Sequence, residues 1–324
     1  QTPDHRRVFT MSESPSAQKI LIIKLGALGD IIRSLDAIHS VRGNFPHAHI
    51  DLLTRPQHVA FCKTIPWFDK VRPAAAPRLW ELGKWLDFTR MLRSQKYDLV
   101  VDLQCKSRST LYHLLTGVNG PRWSGTSPWS TYPRPRPDRA NIPAHEHQRM
   151  QLESIPIPWA GPADLDWLAA PLDDLVLPPR FVILAPGCSP QHPVKRWPAA
   201  SYAALAHHLE NRGIACVVIG TSAEQSAIDE FTALAPHAVN LANKTTIHQL
   251  ASLARRAAAV VSNDTGPAHI TAAVGTPTLV LMSHVTDPEC MLPIGTDVSY
   301  IKKRDIADIS AEEVMQALRP RDTP

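Results

Sequence analysis

The sequence predicts an α/β protein built from two doubly wound, parallel-sheet domains. Three observations carry that expectation. The chain has 324 residues, more than a typical single core and enough for two domains of about 150 residues each. Strand-like apolar runs alternate with helix-like stretches over most of its length, the pattern of a parallel sheet covered by helices. The alternation breaks once, in a proline-dense stretch from Asn119 to Pro193, and then resumes.

In the first half, KILIIKL (19–25) reads as a strand, DIIRSLDAIHSVRGNF (30–45) as one helix and HIDLLT (49–54) as a strand. WELGKWLDFTRMLRSQ (80–95) reads as a helix, YDLVVDLQ (97–104) as a strand and STLYHLLTG (109–117) as a helix. Proline fixes φ and removes a donor, so the stretch containing RPRPDR (134–139), SIPIPWAGP (154–162) and LPPR (177–180) is expected to lack regular sheet. It supplies a long surface loop at about 119–143 and an interdomain linker. The second half gives strands at 180–187, 214–220, 258–264 and 277–282, a short strand at 237–242, and helices at 199–213, 223–235, 245–257 and 266–275. ISAEEVMQALRP closes the chain as a helix, with Ser310 as N-cap and Glu313 three residues on, a capping box. The expected division is a disordered polar leader at 1–18, with Met11 a candidate natural start, a first domain at 19–165, a linker at 166–178 and a second domain at 179–324. Two doubly wound domains place a ligand cleft between them, at the carboxyl ends of both sheets.

Composition narrows the function classes. The apolar fraction of 44% and charged fraction of 20% suit a soluble globular protein. No apolar run reaches the roughly 18 residues that cross a bilayer, and QTPDHRRVFTMSESPSAQ lacks the apolar region of a secretory signal. Five scattered cysteines without a CxxC point to a reduced, cytoplasmic protein with no structural zinc. A net charge of +4 is too small to argue for nucleic acid, and the RPRPDR arginines have no interleaved aromatics for stacking. It suits an anionic partner or a membrane surface.

Three strand ends carry candidate chemistry. Gly26-Ala27-Leu28-Gly29-Asp30 turns a strand into a helix; it is not GxGxxG, because Lys24 and Leu28 stand at the flanking positions. Asp30 reads equally as a first-turn acid held by the helix dipole or as a reactive carboxylate. Ser262-Asn263-Asp264-Thr265-Gly266-Pro267-Ala268-His269 ends a buried strand and opens a helix, whose N–H groups can hold a diphosphate; the plainer alternative is an ordinary cap with a packed His269. Pro186-Gly187-Cys188, followed by Lys195-Arg196-Trp197-Pro198, brings two cations to a strand end, either to neutralise a leaving phosphate or as a solvated basic loop. Glu224 lies four residues beyond the strand IACVVIG, placed to accept from ribose hydroxyls or to act as a first-turn acid. Lys106, Arg108 and Arg122, with Arg134, Arg136 and Arg139, are cations available to an acidic acceptor or to solvent. Asp164-Leu165-Asp166 reads as a solvated turn. His145-Glu146-His147 has a spacing that suits a strand, not one helical face, and neither motif is expected to bind metal.

Taken together, KLGALGDIIRSL, DLQCKSRS, PGCSPQHPVKRWP and SNDTGPAHITAAVGTPT resemble the ADP-heptose–lipopolysaccharide heptosyltransferases, glycosyltransferase family 9, over roughly residues 19–318. The resemblance implies a GT-B fold, two Rossmann-like domains facing a cleft, with the nucleotide on the second and the acceptor on the first. It implies an inverting transfer from an ADP-sugar without cofactor or metal. Asp30 is then the general base, taking the acceptor hydroxyl proton, and Lys195 acts with it in catalysis. The donor is held by Gly187, Cys188, Lys195, Glu224, Asp264, Thr265, Gly266 and His269; the anionic glycolipid or glycan acceptor is held by Gly29, Lys106, Arg108 and Arg122. A cytoplasmic monomer in peripheral contact with the inner membrane is expected. The competing readings are a GT-B transferase or epimerase using a UDP- or GDP-sugar, and a nucleotide-sugar-binding protein without catalysis. The two prolines before Lys195, and Cys188 in place of a small or hydroxyl residue, are departures from the family pattern that leave donor sugar and acceptor open.

Overall fold

The computed structural model describes residues 17–74, 80–135, 142–188 and 192–322. Most of the expected leader, together with Arg136 and Arg139, lies outside them. The chain divides into two compact units: residues 17–26 with 34–163, and residues 27–33 with 164–322.

The first unit holds β1 (Lys19–Ile23), β2 (His49–Thr54), β3 (Lys70–Pro73), β4 (Leu99–Asp102), β5 (Arg122–Gly125) and β6 (Tyr132–Pro133). They form one sheet in the order β3-β2-β1-β4-β5-β6, parallel throughout. Centrally, Ile22 pairs with Leu52 on one side and Val101 on the other. The inner strands are mostly apolar because both faces are buried: Ile20, Ile22, Ile23, Leu52, Leu53, Val100 and Val101 are fully enclosed. The second unit repeats the design with β7 (Phe181–Ala185), β8 (Ala215–Val218), β9 (Val239–Asn240), β10 (Ala259–Asn263), β11 (Thr278–Met282) and β12 (Val298–Lys302). Their order is β12-β11-β10-β7-β8-β9, again all parallel. Counted from its first strand, each sheet has the doubly wound order of dinucleotide-binding domains.

Four expectations are corrected. The segment 119–143 is not simply a loop, since β5 and β6 extend the first sheet within it. Its proline is tolerated because Pro133 ends the edge strand β6, where no ladder donor is needed. The expected helix over 30–45 is two helices, Leu28–Ile32 and Leu35–Asn44. At the break, buried Ser34 accepts a hydrogen bond from Gln148 Nε2 at 2.8 Å, and residues 27–33 group with the second unit rather than the first. His145-Glu146-His147 lies in the helix Ala144–Glu153, not in a strand. The edge strands β3 and β12 were not expected; both are short and partly exposed, so their sequences carry no continuous apolar run.

The linker has no helix or strand among its described residues, yet it is fastened. Arg255 donates to the Leu168 and Leu165 carbonyls at 2.6 and 2.7 Å. The closing helix has the expected box: Glu313 N–H donates to Ser310 Oγ at 3.2 Å and Ser310 N–H to Glu313 Oε2 at 2.9 Å.

One polar group is buried at the edge of the first sheet. Asp51 on β2 is fully enclosed and accepts from Arg72 Nε and from the Tyr97 hydroxyl, each at 2.6 Å. That hydroxyl is held protonated well above its usual range, first by burial and then by Asp51. Replacing Asp51 by Ala leaves the part-buried Arg72 guanidinium with Gln95 alone and is expected to cost about 3 kcal/mol in urea unfolding. Asp51→Asn, which keeps an acceptor oxygen, is expected to cost less; equal losses would contradict the assignment.

Candidate active site

The sheet order of the second unit decides where a ligand can bind. From β7 the chain moves to β8 on one side, and from β10 it moves to β11 on the other. The carboxyl ends of β7 and β10 are therefore neighbours at a topological switch point, where open α/β sheets bind ligands. The sequence put PGC and SNDTGPAH at separate strand ends; the pairing of β7 with β10 brings them side by side.

Asn263, the last residue of β10, joins the pieces. It is fully buried. Its amide nitrogen donates to the Pro186 and Gly187 carbonyls at 3.1 and 3.0 Å. Its oxygen accepts from Trp197 N–H at 3.1 Å and the Tyr202 hydroxyl at 3.3 Å. Trp197 in turn donates from Nε1 to the Ile309 carbonyl at 2.8 Å and packs edge-on against Tyr202. One carboxamide thus fixes the turn after β7, the segment leading out of Lys195-Arg196 and the end of β10. It was not among the expected site residues.

The neighbouring Asp264 has a nearly buried carboxylate, with 3% of its side chain exposed. Oδ2 accepts from Lys195 Nζ at 2.6 Å and from the buried Thr286 hydroxyl at 3.0 Å. Asp264 therefore orients Lys195; an ammonium has three donors, and this pair uses one. Thr286 is a second residue the sequence did not signal. Thr265 is the N-cap of the helix Gly266–Ala273, with a proline in its first turn. A side chain at Gly266 would meet nothing within 4 Å, so the helix start is open.

The other expected donor residues divide. Glu224 accepts from the Thr221 N–H at 2.8 Å and hydroxyl at 3.0 Å, so it caps its own turn. Its carboxyl group also lies so close to Gly187 that no Cβ fits there. Cys188 is buried, its thiol pushed up by burial and directed at the His192 carbonyl at 3.3 Å.

The segment 27–33 lies against this site within the same unit. A Cβ on Gly29 would stand 2.5 Å from His269 Cδ2, so glycine is needed for the backbone to pass the imidazole. Gly29 is thus in close packing. Asp30 accepts the Ala27 N–H at 3.0 Å, the local cap that its position allowed. It also belongs to a charge cluster. Arg33, buried, donates to the Cys290 carbonyl at 2.6 Å, while its Nε has no partner. Burial lowers the Arg33 pKa, against which Asp30 and then Asp264 favour the cation. His269 is 6% exposed; burial first, then the Arg33 charge, brings its pKa down to about 4 against the pull of Asp264 and Asp30. The imidazole is therefore neutral near pH 7. Arg33 was overlooked, although its place three residues after Asp30 sets both on one side of a helical turn.

In the first unit, the ends of β1 and β4 form the equivalent switch point. The Leu25 N–H donates to Gln104 Oε1 at 2.8 Å, and the Asp102 carboxylate, its pKa raised by burial, accepts from the Gln104 and Cys105 N–H groups. Lys106 and Arg108 meet here in a pocket of about 490 Å³ that also takes in Arg55, Gln57 and Tyr112. Arg55 adds a third cation that the sequence reading passed over. Arg122 is not with them. It begins β5 in register with Leu99 at the start of β4, hence at the amino end of the sheet, where it lines another pocket with Trp129.

Two outcomes follow. Asn263→Ala leaves the Pro186 and Gly187 carbonyls and the Trp197 N–H without this partner, while the Tyr202 hydroxyl keeps the Ala185 carbonyl, so a loss of at least about 2 kcal/mol is expected in denaturant unfolding; a loss within experimental scatter would contradict its bridging role. For His269, the folded pKa lies below the unfolded value of 6.5, so between those values the unfolded chain binds more protons. Its contribution to stability is complete above pH 6.5 and is lost as pH falls toward about 4. NMR titration of the ring should find a midpoint near 4, and one near 6.5 would contradict its burial.

Comparison with known proteins bears on family and fold. Lipooligosaccharide heptosyltransferase 2 of Haemophilus influenzae is 27% identical over 313 residues, covering 87% of this chain and 88% of that protein. Two solved Escherichia coli structures share the fold. ADP-heptose lipopolysaccharide heptosyltransferase II has a TM-score of 0.73 at 22% identity, over 92% of this chain and 96% of that one. Heptosyltransferase WaaC with ADP has a TM-score of 0.74 at 20% identity, over 92% and 98%. Both share the arrangement of two parallel sheets with flanking helices known as GT-B. The model of glycosyltransferase family 9 (heptosyltransferase) matches residues 148–316, more than half of the 324, and the chain is accordingly a glycosyltransferase that belongs to family 9, the heptosyltransferase family.

Proposed function

We propose that this protein is an inverting heptosyltransferase of lipopolysaccharide-core assembly, moving heptose from ADP-heptose to a glycan acceptor, with Asp30 as general base. The observation that carries the reading is the joining of Lys195, Asp264 and the open start of the helix Gly266–Ala273 at one switch point, in the same charge cluster as Asp30 and Arg33. An ADP diphosphate at that helix start meets unpaired N–H groups and a favourable dipole. Lys195, already oriented by Asp264, adds a cation to the leaving oxygen as the sugar–phosphate bond breaks. The acceptor oxygen forms the new bond to the anomeric carbon from the opposite face, and its proton passes to Asp30. Arg33 keeps Asp30 and Asp264 tolerable to one another beside an anionic donor. Lys195, Arg33 and the helix together take the part that a divalent ion plays in other transferases, so no catalytic metal is required.

The three cations Arg55, Lys106 and Arg108 around one pocket favour an acceptor bearing carboxylate or phosphate groups. Such an acceptor suits a cytoplasmic enzyme that works at the inner face of the membrane; among the described residues no helix is long and apolar enough to cross it.

The test is Asp30→Asn, assayed with ADP-heptose and a deacylated core acceptor. The expected result is a fall in kcat on the order of 100-fold or more with the Kd for ADP changed less than about threefold. Full turnover in the variant would overturn the base assignment, and a parallel loss of ADP affinity would make Asp30 a residue of the donor site instead.

A further inference from the structure

Three side chains with metal-ligating atoms meet at the other end of the second sheet. His207 and Glu210 stand one turn apart at the close of the helix Ala199–Glu210, which leads into β8. His237 lies two residues before β9. Both strands start here, so the group is at the amino edge of the sheet, opposite the strand ends that form the active site. His207 Nδ1 is 3.9 Å from Glu210 Oε2, and His237 Nε2 is 3.5 Å from the same oxygen. All three ligand atoms lie within 4.8 Å of one another.

The hydrogen bonding of His207 favours a metal. His207 Nε2 lies 3.1 Å from the Leu234 carbonyl, which can only accept, so Nε2 carries the hydrogen. That leaves Nδ1 as the nitrogen that faces the cluster. An imidazole held by a carbonyl on its far nitrogen is the usual outer support of a metal-bound histidine. Donor atoms around a tetrahedral ion at metal–nitrogen distances of about 2.0–2.1 Å stand about 3.3 Å apart, so the present gaps close with small side-chain rotations. His207 and Glu210 are half exposed and His237 is 23% exposed, leaving a hydrated ion room to reach them.

We propose that His207, Glu210 and His237 bind one divalent transition-metal ion of the zinc class, with water completing its shell. Two imidazoles and one carboxylate suit Zn²⁺ or Ni²⁺, whereas Mg²⁺ and Ca²⁺ prefer all-oxygen shells. The ion ties the helix Ala199–Glu210 to the chain just beyond the helix Gln225–Leu234. That second helix begins beside Glu224 at the active-site end, so the clip braces an element that the donor site uses without taking part in transfer.

The full-length protein, stripped with chelator, would be titrated calorimetrically with ZnCl₂ and separately with MgCl₂, alongside His207→Ala, His237→Ala and Glu210→Gln. ADP titration of each variant checks that the fold is kept and reports on the transferase reading independently. About one equivalent of zinc is expected to bind the wild type with no detectable magnesium, and to raise its melting temperature. Each histidine variant should bind zinc on the order of tenfold more weakly or worse, with no thermal gain. The proposal is overturned if zinc does not bind. It is equally overturned if binding is unchanged in both histidine variants, which would place the ion on other histidines.

Discussion

The strand ends of the second unit depend on one buried carboxamide. Asn263 donates twice to the turn after β7 and accepts twice from the segment after Lys195. A parallel sheet alone fixes only the strands; their carboxyl ends open into loops whose backbone groups need partners. Asparagine has two donors and an acceptor with two lone pairs, which matches the four bonds it makes here. A residue of similar size with a carboxylate would face two carbonyls with no hydrogen to offer. The position of Lys195, the close approach of Gly187 to Glu224 and the seating of Trp197 all follow from that anchoring.

Around that anchor, charge is arranged by pairing. A carboxylate beside a diphosphate is unfavourable unless a cation stands between them. Asp264 is paired with Lys195 and bonded to Thr286, so it acts as a support for the lysine and not as a group facing phosphate. Asp30 shares the field of Arg33, and the neutral His269 fills the space beneath without adding charge. The cap bond from Asp30 to Ala27 N–H and a catalytic role are compatible, because an ionised carboxylate offers about four lone-pair sites. Capping also holds the side chain in a single orientation, as a base requires.

The sequence was most informative where burial leaves one solution. Strands such as LVVD and FVILA are enclosed on both faces and read as apolar runs, and polar clusters directly after them marked the site. Strand order was not legible, since periodicity says nothing about which strand ends become neighbours. Strands β3, β5, β6 and β12, at or next to the sheet edges, are not marked in the sequence because they are short or rich in proline and polar residues. Asn263 and Arg33 sat inside quoted motifs but gave no sign of their roles, which arise from contacts made by distant segments. Arg122 was grouped with Lys106 and Arg108 by charge alone; the register of β5 puts it at the opposite end of its sheet. Gly29 and Glu224 were expected to touch ligand, and their visible work is local: close packing on His269 and capping of Thr221.

In the proposed donor site, the switch point of the second unit holds an adenosine diphosphate by cations and helix N–H groups. The most direct measurement is calorimetric titration of the purified protein with ADP, UDP and GDP in EDTA. The account predicts selective binding of ADP at one equivalent, undiminished by the chelator. Binding that requires a divalent ion, or no preference for ADP over UDP and GDP, would contradict it.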